Sequence, residues 1–416
     1  MSEMKDSGIE WIGKIPKDWD VQKVKFHLQR KEPRNPGNQQ VLSVYREYGV
    51  IPKDSRDDNH NVTSEDTSNY KYIKPDNFVI NKMKAWQGSM GVSEYEGIVS
   101  PAYFVYSFMG NALYPKYLHY LFRNCYKDEF RRISGGIREG QWDLSPDAFA
   151  NTLLLLPSFA EQQKITSALE NKCAEIDSLH TDIGKQIDVL EQYKKSVITE
   201  AVTNGLDPTV EVKDSGIEWI GKIPKSWNII RLKFVLKERN VRSVDGSGEL
   251  LSVSQNRGVV PANSIQRTMQ AKSLVGYKIV HVNDLVFNKL NPVLARFGVS
   301  VYNGITSPDF SVYYSDKTNV KFLCYLLKTD AYITEYGRIC TGVGDGFSRL
   351  YTHMLYNIFV ALPDIVEQKI IVDYLDSKCA EINSAIADRK KQLETLEAYK
   401  KSLIYEYVTG KKEVPV

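Results

Sequence analysis

The chain has 416 residues, 42% of them hydrophobic and 11% aromatic, which suits two or three globular domains and excludes a disordered protein. The formal net charge is only +3. No apolar run approaches the ~20 residues that cross a bilayer, and the first residues lack a signal-peptide core, so we expect neither a membrane-spanning nor a secreted protein. The five cysteines are scattered without a CxxC spacing, so we expect reduced thiols, no structural zinc and a cytoplasmic location.

Two nearly identical fifteen-residue boxes show that the chain is duplicated. Residues 5–19 read KDSGIEWIGKIPKDW, and residues 213–227 read KDSGIEWIGKIPKSW. A second match follows at a similar spacing, with LSVYREYGVIP at 42–52 and LSVSQNRGVVP at 251–261. This period is far too long for a solenoid repeat, so one whole unit has been copied.

A globular segment accompanies each box, over residues 1–157 and 206–363. Short runs of Val, Ile, Tyr and Phe alternate there with Gly, Asn, Asp and Pro, which predicts mixed domains with many short strands. Lys and Arg outnumber Asp and Glu in both segments, most clearly in the second. In the stretch that follows each segment, Lys and Arg do not outnumber Asp and Glu. We therefore expect the globular segments to face a polyanion.

Two long heptad patterns follow the globular segments, over 158–205 and 364–416. Each begins with a short polar residue, Ser158 or Asp364, and has Glu three positions later to reach back, which is the capping-box pattern. Narrow apolar seams need a helical partner, so we expect the two helices to pair with each other. The predicted seam consists of Leu169, Ile176, Ile183, Leu190, Leu375, Ile382, Leu396 and Leu403.

Catalytic motifs are missing from the sequence. It contains no (N/D)PP(Y/F/W) tetrapeptide, Walker A loop, HExxH or GxSxG, and the GVGDG run at 342–346 does not lie between a strand and a helix. We therefore predict no catalytic site, metal or cofactor on this chain. Two alternatives stay open here: a methyltransferase or nuclease with an unrecognised site, and a coiled-coil scaffold without a DNA role.

Loops in equivalent places of the two globular segments combine cations, amides and an aromatic residue. Arg reads guanine and Asn or Gln reads adenine by paired hydrogen bonds, whereas Lys more often contacts phosphate. Any one such residue is as readily a solvated turn residue, but their joint enrichment predicts DNA contact. The candidates are Arg46, Lys53, Lys82, Lys84, Trp86, Gln87, Ser89, Arg131, Arg132, Arg138 and Gln141 in the first segment, and Gln255, Asn256, Arg257, Lys289, Asn291, Arg296, Arg338 and Arg349 in the second.

The paired boxes, together with LPSFAEQQKI at 156–165 and LPDIVEQKII at 362–371, resemble the specificity subunit of type I restriction–modification enzymes. The resemblance covers essentially the whole chain. It implies an α+β fold in which two pseudo-equivalent mixed α/β target-recognition domains, 1–157 and 206–363, are separated by an antiparallel coiled coil of the helices 158–205 and 364–416.

The same resemblance implies the function and the partners. Each domain would read one half of a bipartite double-stranded DNA target, while the helices set the spacer and dock two methyltransferase (M) subunits. Restriction (R) subunits would join the full complex. Adenine-N6 methylation and ATP-dependent cleavage, with the S-adenosylmethionine, ATP and Mg they require, would belong to those partners and not to this chain.

Overall fold

A computed structural model describes residues 3–37, 39–46, 48–55, 63, 66–136, 142–255, 257–265, 273–342 and 348–414. The chain divides into two compact units, of which unit 1 is Met1–Ile183 with Lys391–Val416 and unit 2 is Gly184–Lys390. No helix in the described ranges is long and apolar enough to cross a membrane.

Unit 1 begins with a mixed domain of short strands and helices. Its strands are β1 (Met4–Asp6), β2 (Lys14–Pro16), β3 (Asp20–Lys23), β4 (Leu28–Lys31), β5 (Leu42–Tyr45), β6 (Gly49–Pro52), β7 (Lys71–Ile73), β8 (Phe78–Asn81), β9 (Met90–Val92), β10 (Gly97–Val99), β11 (Tyr103–Phe108), β12 (Ser134–Gly135), β13 (Asp143–Leu144) and β14 (Leu153–Leu156). Its short helices are α1 (Pro115–Cys125), α2 (Lys127–Arg132) and α3 (Pro146–Asn151), and the long helix α4 (Phe159–Asn204) follows.

Unit 2 repeats this order. Its strands are β15 (Val212–Asp214), β16 (Lys222–Pro224), β17 (Asn228–Arg231), β18 (Lys237–Glu238), β19 (Leu250–Ser254), β20 (Gly258–Pro261), β21 (Lys278–Val280), β22 (Leu285–Asn288), β23 (Phe297–Val299), β24 (Gly304–Thr306), β25 (Phe310–Tyr314), β26 (Thr341–Gly342), β27 (Ser348–Arg349) and β28 (Phe359–Leu362). Its helices are α5 (Val320–Leu327), α6 (Asp330–Ile339), α7 (Thr352–Asn357) and the long α8 (Ile365–Val408). The predicted α+β class with two long helices is confirmed.

The main sheets of the two units correspond strand by strand, whereas the sheet β20-β19-β24-β21 of unit 2 matches two separate strand pairs of unit 1, β5-β6 and β10-β7. The main sheet has the order β4-β11-β8-β9 in unit 1 and β18-β25-β22-β23 in unit 2, and all its pairings are antiparallel. The last strand before each long helix returns to pair with an early strand, β14 with β3 and β28 with β17. Each mixed domain is thereby closed at the point where its long helix begins.

The tryptophans of the duplicated boxes belong to the core. Trp19 and Trp227 are 1% and 0% exposed. Trp11 packs edge-on against Tyr126 with ring centroids 4.9 Å apart and planes at 90°, and Trp219 packs on its counterpart tyrosine with the same values. Because the tryptophans of both copies pack against equivalent neighbours, packing accounts for the identity of the buried positions of the boxes.

The long helices begin with the predicted caps. Ser158 Oγ accepts a hydrogen bond from the backbone N–H of Glu161 at 3.2 Å, and Asp364 Oδ1 accepts one from that of Glu367 at 2.9 Å. The side chain of Glu367 differs from the predicted capping box, because its carboxylate accepts a hydrogen bond from Trp227 Nε1 at 3.1 Å. The glutamate therefore ties the helix start to the box.

A buried glutamine in the first turn of each long helix makes a second tie to the mixed domain. Gln162, which is 0% exposed, accepts from the backbone N–H of Tyr114 at 2.7 Å and donates to the carbonyls of Ala112 and Pro157 at 2.8 and 2.9 Å. Its counterpart Gln368 is likewise buried and fully hydrogen-bonded. The shared EQ dipeptide of the two helix starts is therefore structural.

The long helices pair antiparallel within each unit. In unit 1, Lys400 Nζ contacts both carboxylate oxygens of Asp177 at 2.6 and 2.7 Å, and in unit 2 Lys194 Nζ donates to Asn383 Oδ1 at 2.8 Å. Of the predicted seam, Leu169, Ile176, Leu375, Ile382 and Leu403 are buried, whereas Ile183, Leu190 and Leu396 are half-buried. The seam residues nearest to the mixed domains are therefore the most deeply buried.

The end of α8 packs against the start of the chain inside unit 1. Tyr117 OH donates to the carbonyl of Val408 at 3.0 Å, and Lys411 Nζ donates to the carbonyl of Ile12 at 2.8 Å. Gly410 adopts a φ of +68°, and a Cβ there would lie 2.3 Å from Pro16 Cδ. Both the left-handed backbone and the close approach require glycine at this helix end.

Replacing Tyr117 by phenylalanine tests this closure with minimal change of shape. We expect the free energy of unfolding to fall by about 1 kcal/mol, because the Val408 carbonyl loses a buried partner. Tyr399→Phe, at an exposed tyrosine of α8, is the control and should leave urea unfolding unchanged. Equal stability of the two variants would show that the closure contributes nothing.

Candidate nucleic-acid interface

Three elements converge at one surface of unit 1: the 3-10 turn Ala85–Gln87, helix α2 and the hairpin β12–β13. The turn directly follows β8 and ends at Gly88, whose φ is +87°. The backbone N–H of Leu144 donates to the carbonyl of Lys82 at 3.0 Å, which fixes the hairpin against the turn. Of the predicted residues, Trp86, Gln87, Arg131 and Arg132 lie on these elements, and Lys82 and Lys84 lie between β8 and the turn.

Two indole rings and a guanidinium group form a stack at this surface. Trp86 Nε1 donates to the carbonyl of Met83 at 3.2 Å, which orients the ring. The ring of Trp86 lies 5.5 Å from that of Trp142 at an interplanar angle of 58°, and the Arg131 guanidinium lies 5.6 Å from the centroid of Trp142. Both indoles are half-buried and Arg131 is exposed, so part of the stack is open to a ligand.

Several other predicted residues of unit 1 carry partners at the same surface. Lys82 Nζ pairs with Asp143 Oδ2 at 2.6 Å, and Arg132 makes a two-bond contact with Glu129. Lys84 is exposed. The cation of Lys82 is therefore neutralised locally, whereas that of Lys84 faces solvent.

The neighbouring β5–β6 turn brings a further candidate to this surface. Arg46 Nη2 donates to Gln87 Oε1 at 3.2 Å, while Lys53 bonds Thr63 farther along the chain. Ser89 is only 3% exposed, which leaves its side chain little access to DNA. The predicted residues Arg138 and Gln141 lie outside the described residues.

Unit 2 assembles the matching surface from the 3-10 turn Pro292–Leu294, helix α6 and the hairpin β26–β27. Asn291 has a φ of +49°, and its Oδ1 accepts from the backbone N–H of Ser348 at 3.0 Å, so this asparagine is a turn residue that holds the hairpin. Arg296 is exposed. The structure therefore gives Asn291 a local role and leaves Arg296 available.

Two cations, Lys289 and Arg349, meet at this surface. Burial lowers the pKa of Lys289, and the positive charges of Lys278 and Arg349 lower that pKa further. Arg349 Nη2 lies 3.6 Å from Asp309 Oδ1, and its guanidinium lies 5.9 Å from the ring of Tyr351. Like charges this close favour an anionic or hydrogen-bond-accepting ligand.

The remaining candidates of unit 2 are more dispersed. Arg338 makes a two-bond contact with Glu335, and Arg257 Nη1 donates to the carbonyl of Ser264 at 3.3 Å. Gln255 is exposed, and Asn256 lies outside the described residues. Apart from Gln255, the described members of this group are held by their own loops.

The sequence did not predict Trp142 and Asp143 as site residues, although it predicted their neighbour Gln141. The available signal was the tryptophan beside an acidic residue just before Ser145-Pro146, a pair typical of a helix start. The contact of Trp142 with Trp86 could not be predicted, because it joins residues 56 positions apart. It depends on a hairpin whose two strands are only two residues long. Within the described ranges, no group of three or more His, Cys, Asp and Glu side chains could hold a metal ion.

The fold and this surface define a class: two copies of one mixed domain, each tied to a long helix and each presenting a different set of polar and aromatic loop residues. No protein-family model matches the chain. Two curated relatives come from Methanocaldococcus jannaschii. The type I restriction enzyme MjaVIII specificity subunit is 25% identical over 286 residues, which is 63% of either chain. The putative type I restriction enzyme MjaX specificity subunit is 24% identical over 96% of this chain and 95% of its own.

Solved structures share the fold. A chain from a structure of a type I R-M system, solved for its complex assembly and conformational transition, aligns with a TM-score of 0.72 at 15% identity over 96% of this chain and 99% of its own. The HsdS subunit from Thermoanaerobacter tengcongensis aligns with a TM-score of 0.55 at 16% identity over 96% of this chain and 98% of its own. The resemblance to type I specificity subunits that the sequence motifs predicted is confirmed.

Proposed function

We propose that this chain is the DNA-specificity subunit of a type I restriction–modification complex. Its target-recognition domains are residues 1–157 and 206–363, and each reads one half of a bipartite duplex target. The observation that carries the proposal is the contrast between the two copies. Boxes, caps and buried glutamines are the same in both, whereas the exposed loops differ in chemistry, as two readers of different sequences require.

The helices 158–205 and 364–416 are assigned the spacer and the docking of two M subunits, with R subunits in the full complex. S-adenosylmethionine, ATP and Mg then serve the partner subunits, and the complex works in the cytoplasm. Supporting this division, the sequence lacks the motifs for methyl transfer and nucleotide hydrolysis. Removing one heptad from both helices shortens each by roughly 10 Å, which should change the spacer by about three base pairs.

The chain should determine which DNA sequence is methylated without catalysing the methyl transfer. We expect the M subunit of the same system to methylate one defined DNA sequence only when this chain is present, and the purified chain with S-adenosylmethionine to transfer no methyl group. Binding of the complex should weaken steeply with salt, because phosphate contacts release counterions. Methyl transfer by the chain alone would favour the enzyme alternative, and equal methylation without the chain would contradict the proposal.

A further inference from the structure

The two units hold their recognition surfaces on the same backbone arrangement. In unit 1 the backbone N–H of Leu144 donates to the carbonyl of Lys82, and in unit 2 that of Leu350 donates to the carbonyl of Lys289, both at 3.0 Å. Each of these lysines follows the strand β8 or β22 of the main sheet. The two lysines and the two hairpins therefore occupy equivalent positions.

The helix beside the hairpin is equivalent as well. Arg132 donates to Glu129 through two nitrogens at 2.8 and 2.6 Å, and Arg338 donates to Glu335 in the same way at 2.7 Å for both bonds. Each pair lies on the final turn of α2 or α6. These ion pairs are common to both units, so they cannot account for a difference in the sequence that is read.

Four positions on this common arrangement differ in chemistry between the units. The equivalent lysines, hairpins and ion pairs fix which residue of unit 1 matches which residue of unit 2. In that order, Trp86, Arg131, Trp142 and Asp143 of unit 1 match Val293, Gly337, Ser348 and Arg349 of unit 2. We call these the four variable positions. The first set makes the indole–guanidinium stack and neutralises Lys82, whereas the second has no aromatic ring and places an arginine where the first has a carboxylate.

We propose that the four variable positions are the specificity-determining contact of each domain, with aromatic chemistry in unit 1 and a single cationic residue, Arg349, in unit 2. This assignment rests on the proposed function and names the residues through which that function selects a sequence. The shared backbone arrangement, the change of charge between Asp143 and Arg349, and the exposure of Arg131 and Val293 support it.

The chemistry of each set indicates the ligand group it suits. The open faces of Trp86 and Trp142 offer apolar area to a base face or a thymine methyl group, and the neutralised Lys82 adds little attraction for phosphate there. Lys289 and Arg349 together offer several hydrogen-bond donors, although Arg349 Nη2 also lies 3.6 Å from Asp309 Oδ1. Such a group of donors suits the acceptor pair of a guanine edge or a phosphate. Unit 1 should thus contribute apolar readout and unit 2 donor readout.

The test for unit 1 uses the double variant Trp86→Val/Trp142→Ser, which installs the unit 2 residues on the common backbone. Binding of the complete complex is measured on the wild-type target and on duplexes with either half-site scrambled. We expect discrimination at one half-site to fall about 10-fold or more, with the other half-site read as in wild type. Tyr95→Ala, at an exposed aromatic in another turn, is the matched control. Should the double variant fail to fold, Arg131→Ala alone should lower the same discrimination.

The test for unit 2 uses Arg349→Asp, which places the unit 1 carboxylate beside Lys289. Discrimination at the other half-site should fall about 10-fold if Arg349 contacts a base. A uniform loss across sequences, with the salt slope reduced by about 1, would instead assign Arg349 to phosphate and remove it from the specificity set. Lys317→Ala, an exposed lysine of a distant turn, is the control.

These outcomes separate the inference from the proposed function. A wild-type complex that binds all sequences equally would overturn both. A wild-type complex that discriminates, with both variants discriminating as well as wild type, would overturn only the assignment of the four variable positions.

Discussion

Replacing Gln162 by leucine should lower the free energy of unfolding by about 3 kcal/mol or more. The substitution removes the side-chain partner of three backbone groups, namely the N–H of Tyr114 and the carbonyls of Ala112 and Pro157. The bond to Pro157 is buried and the other two are partly buried. Each buried group that loses its hydrogen bond costs about 1–3 kcal/mol, and leucine cannot bond to any of them. Urea unfolding of the full chain measures the change.

The control for this prediction lies on the same helix. Gln186 is exposed, and Gln186→Leu should change stability by less than about 0.5 kcal/mol. Gln368→Leu should also lower stability strongly in unit 2, because Gln368 accepts from the backbone N–H of Asn319 and the hydroxyl of Thr318 and donates to the carbonyl of Pro363. If both buried variants unfolded like the exposed one, the glutamines would not be the ties between helices and domains.

Acid should destabilise unit 1 through His119. Burial lowers the pKa of His119 from 6.5 to about 3, and the nearby Arg123 and Lys116 cations contribute to the decrease. Below pH 6.5 the unfolded chain binds a proton that the folded chain excludes, so stability falls as the pH falls toward 3. The loss should reach about 2 kcal/mol at pH 5, since one pKa unit corresponds to about 1.4 kcal/mol.

The chain itself suggests the variant for this test. The position equivalent to His119 in helix α5 is Cys324, so His119→Cys exchanges one buried residue for its natural counterpart. We expect the variant to lack the extra loss of stability between pH 7 and pH 5 in urea unfolding. His353→Gln, at an exposed histidine, should retain it. An identical pH dependence in His119→Cys and wild type would exclude His119 as the cause.

The frame of the fold was largely predictable because its signals are local or duplicated. Helix caps at Ser158 and Asp364 follow from short-range chemistry, and long heptad runs define helices without reference to the rest of the chain. The role of Glu367 was not predictable in this way. Its partner, Trp227, lies 140 positions away, and only the folded box brings that indole to the helix start.

The recognition surface was predictable in location and less so in composition. The sequence predicts polar DNA-contacting residues in the loops after the equivalent strands, and Lys82, Trp86 and Arg131 do lie together. Asn291, in contrast, holds a turn, and Ser89 is buried. Sequence alone does not tell a loop residue that bonds its own backbone from one that faces a ligand, because both occur in the same polar stretches.

Under the proposed function, the two mixed domains are separate readers of different sequences on one repeated structural plan. The difference between them is concentrated on exposed loops, while the buried ties are shared. Two copies of the same reader should therefore recognise two copies of the same sequence.

The most direct measurement maps methylated adenines genome-wide in cells that carry the M subunit and a chain in which residues 228–363 are replaced by residues 20–157. With the native chain, we expect a bipartite target with two unlike halves. With the replaced chain, we expect a symmetric target with one of those halves repeated in inverted orientation. An unchanged target, or a replaced chain that methylates a sequence sharing neither half, would contradict the account.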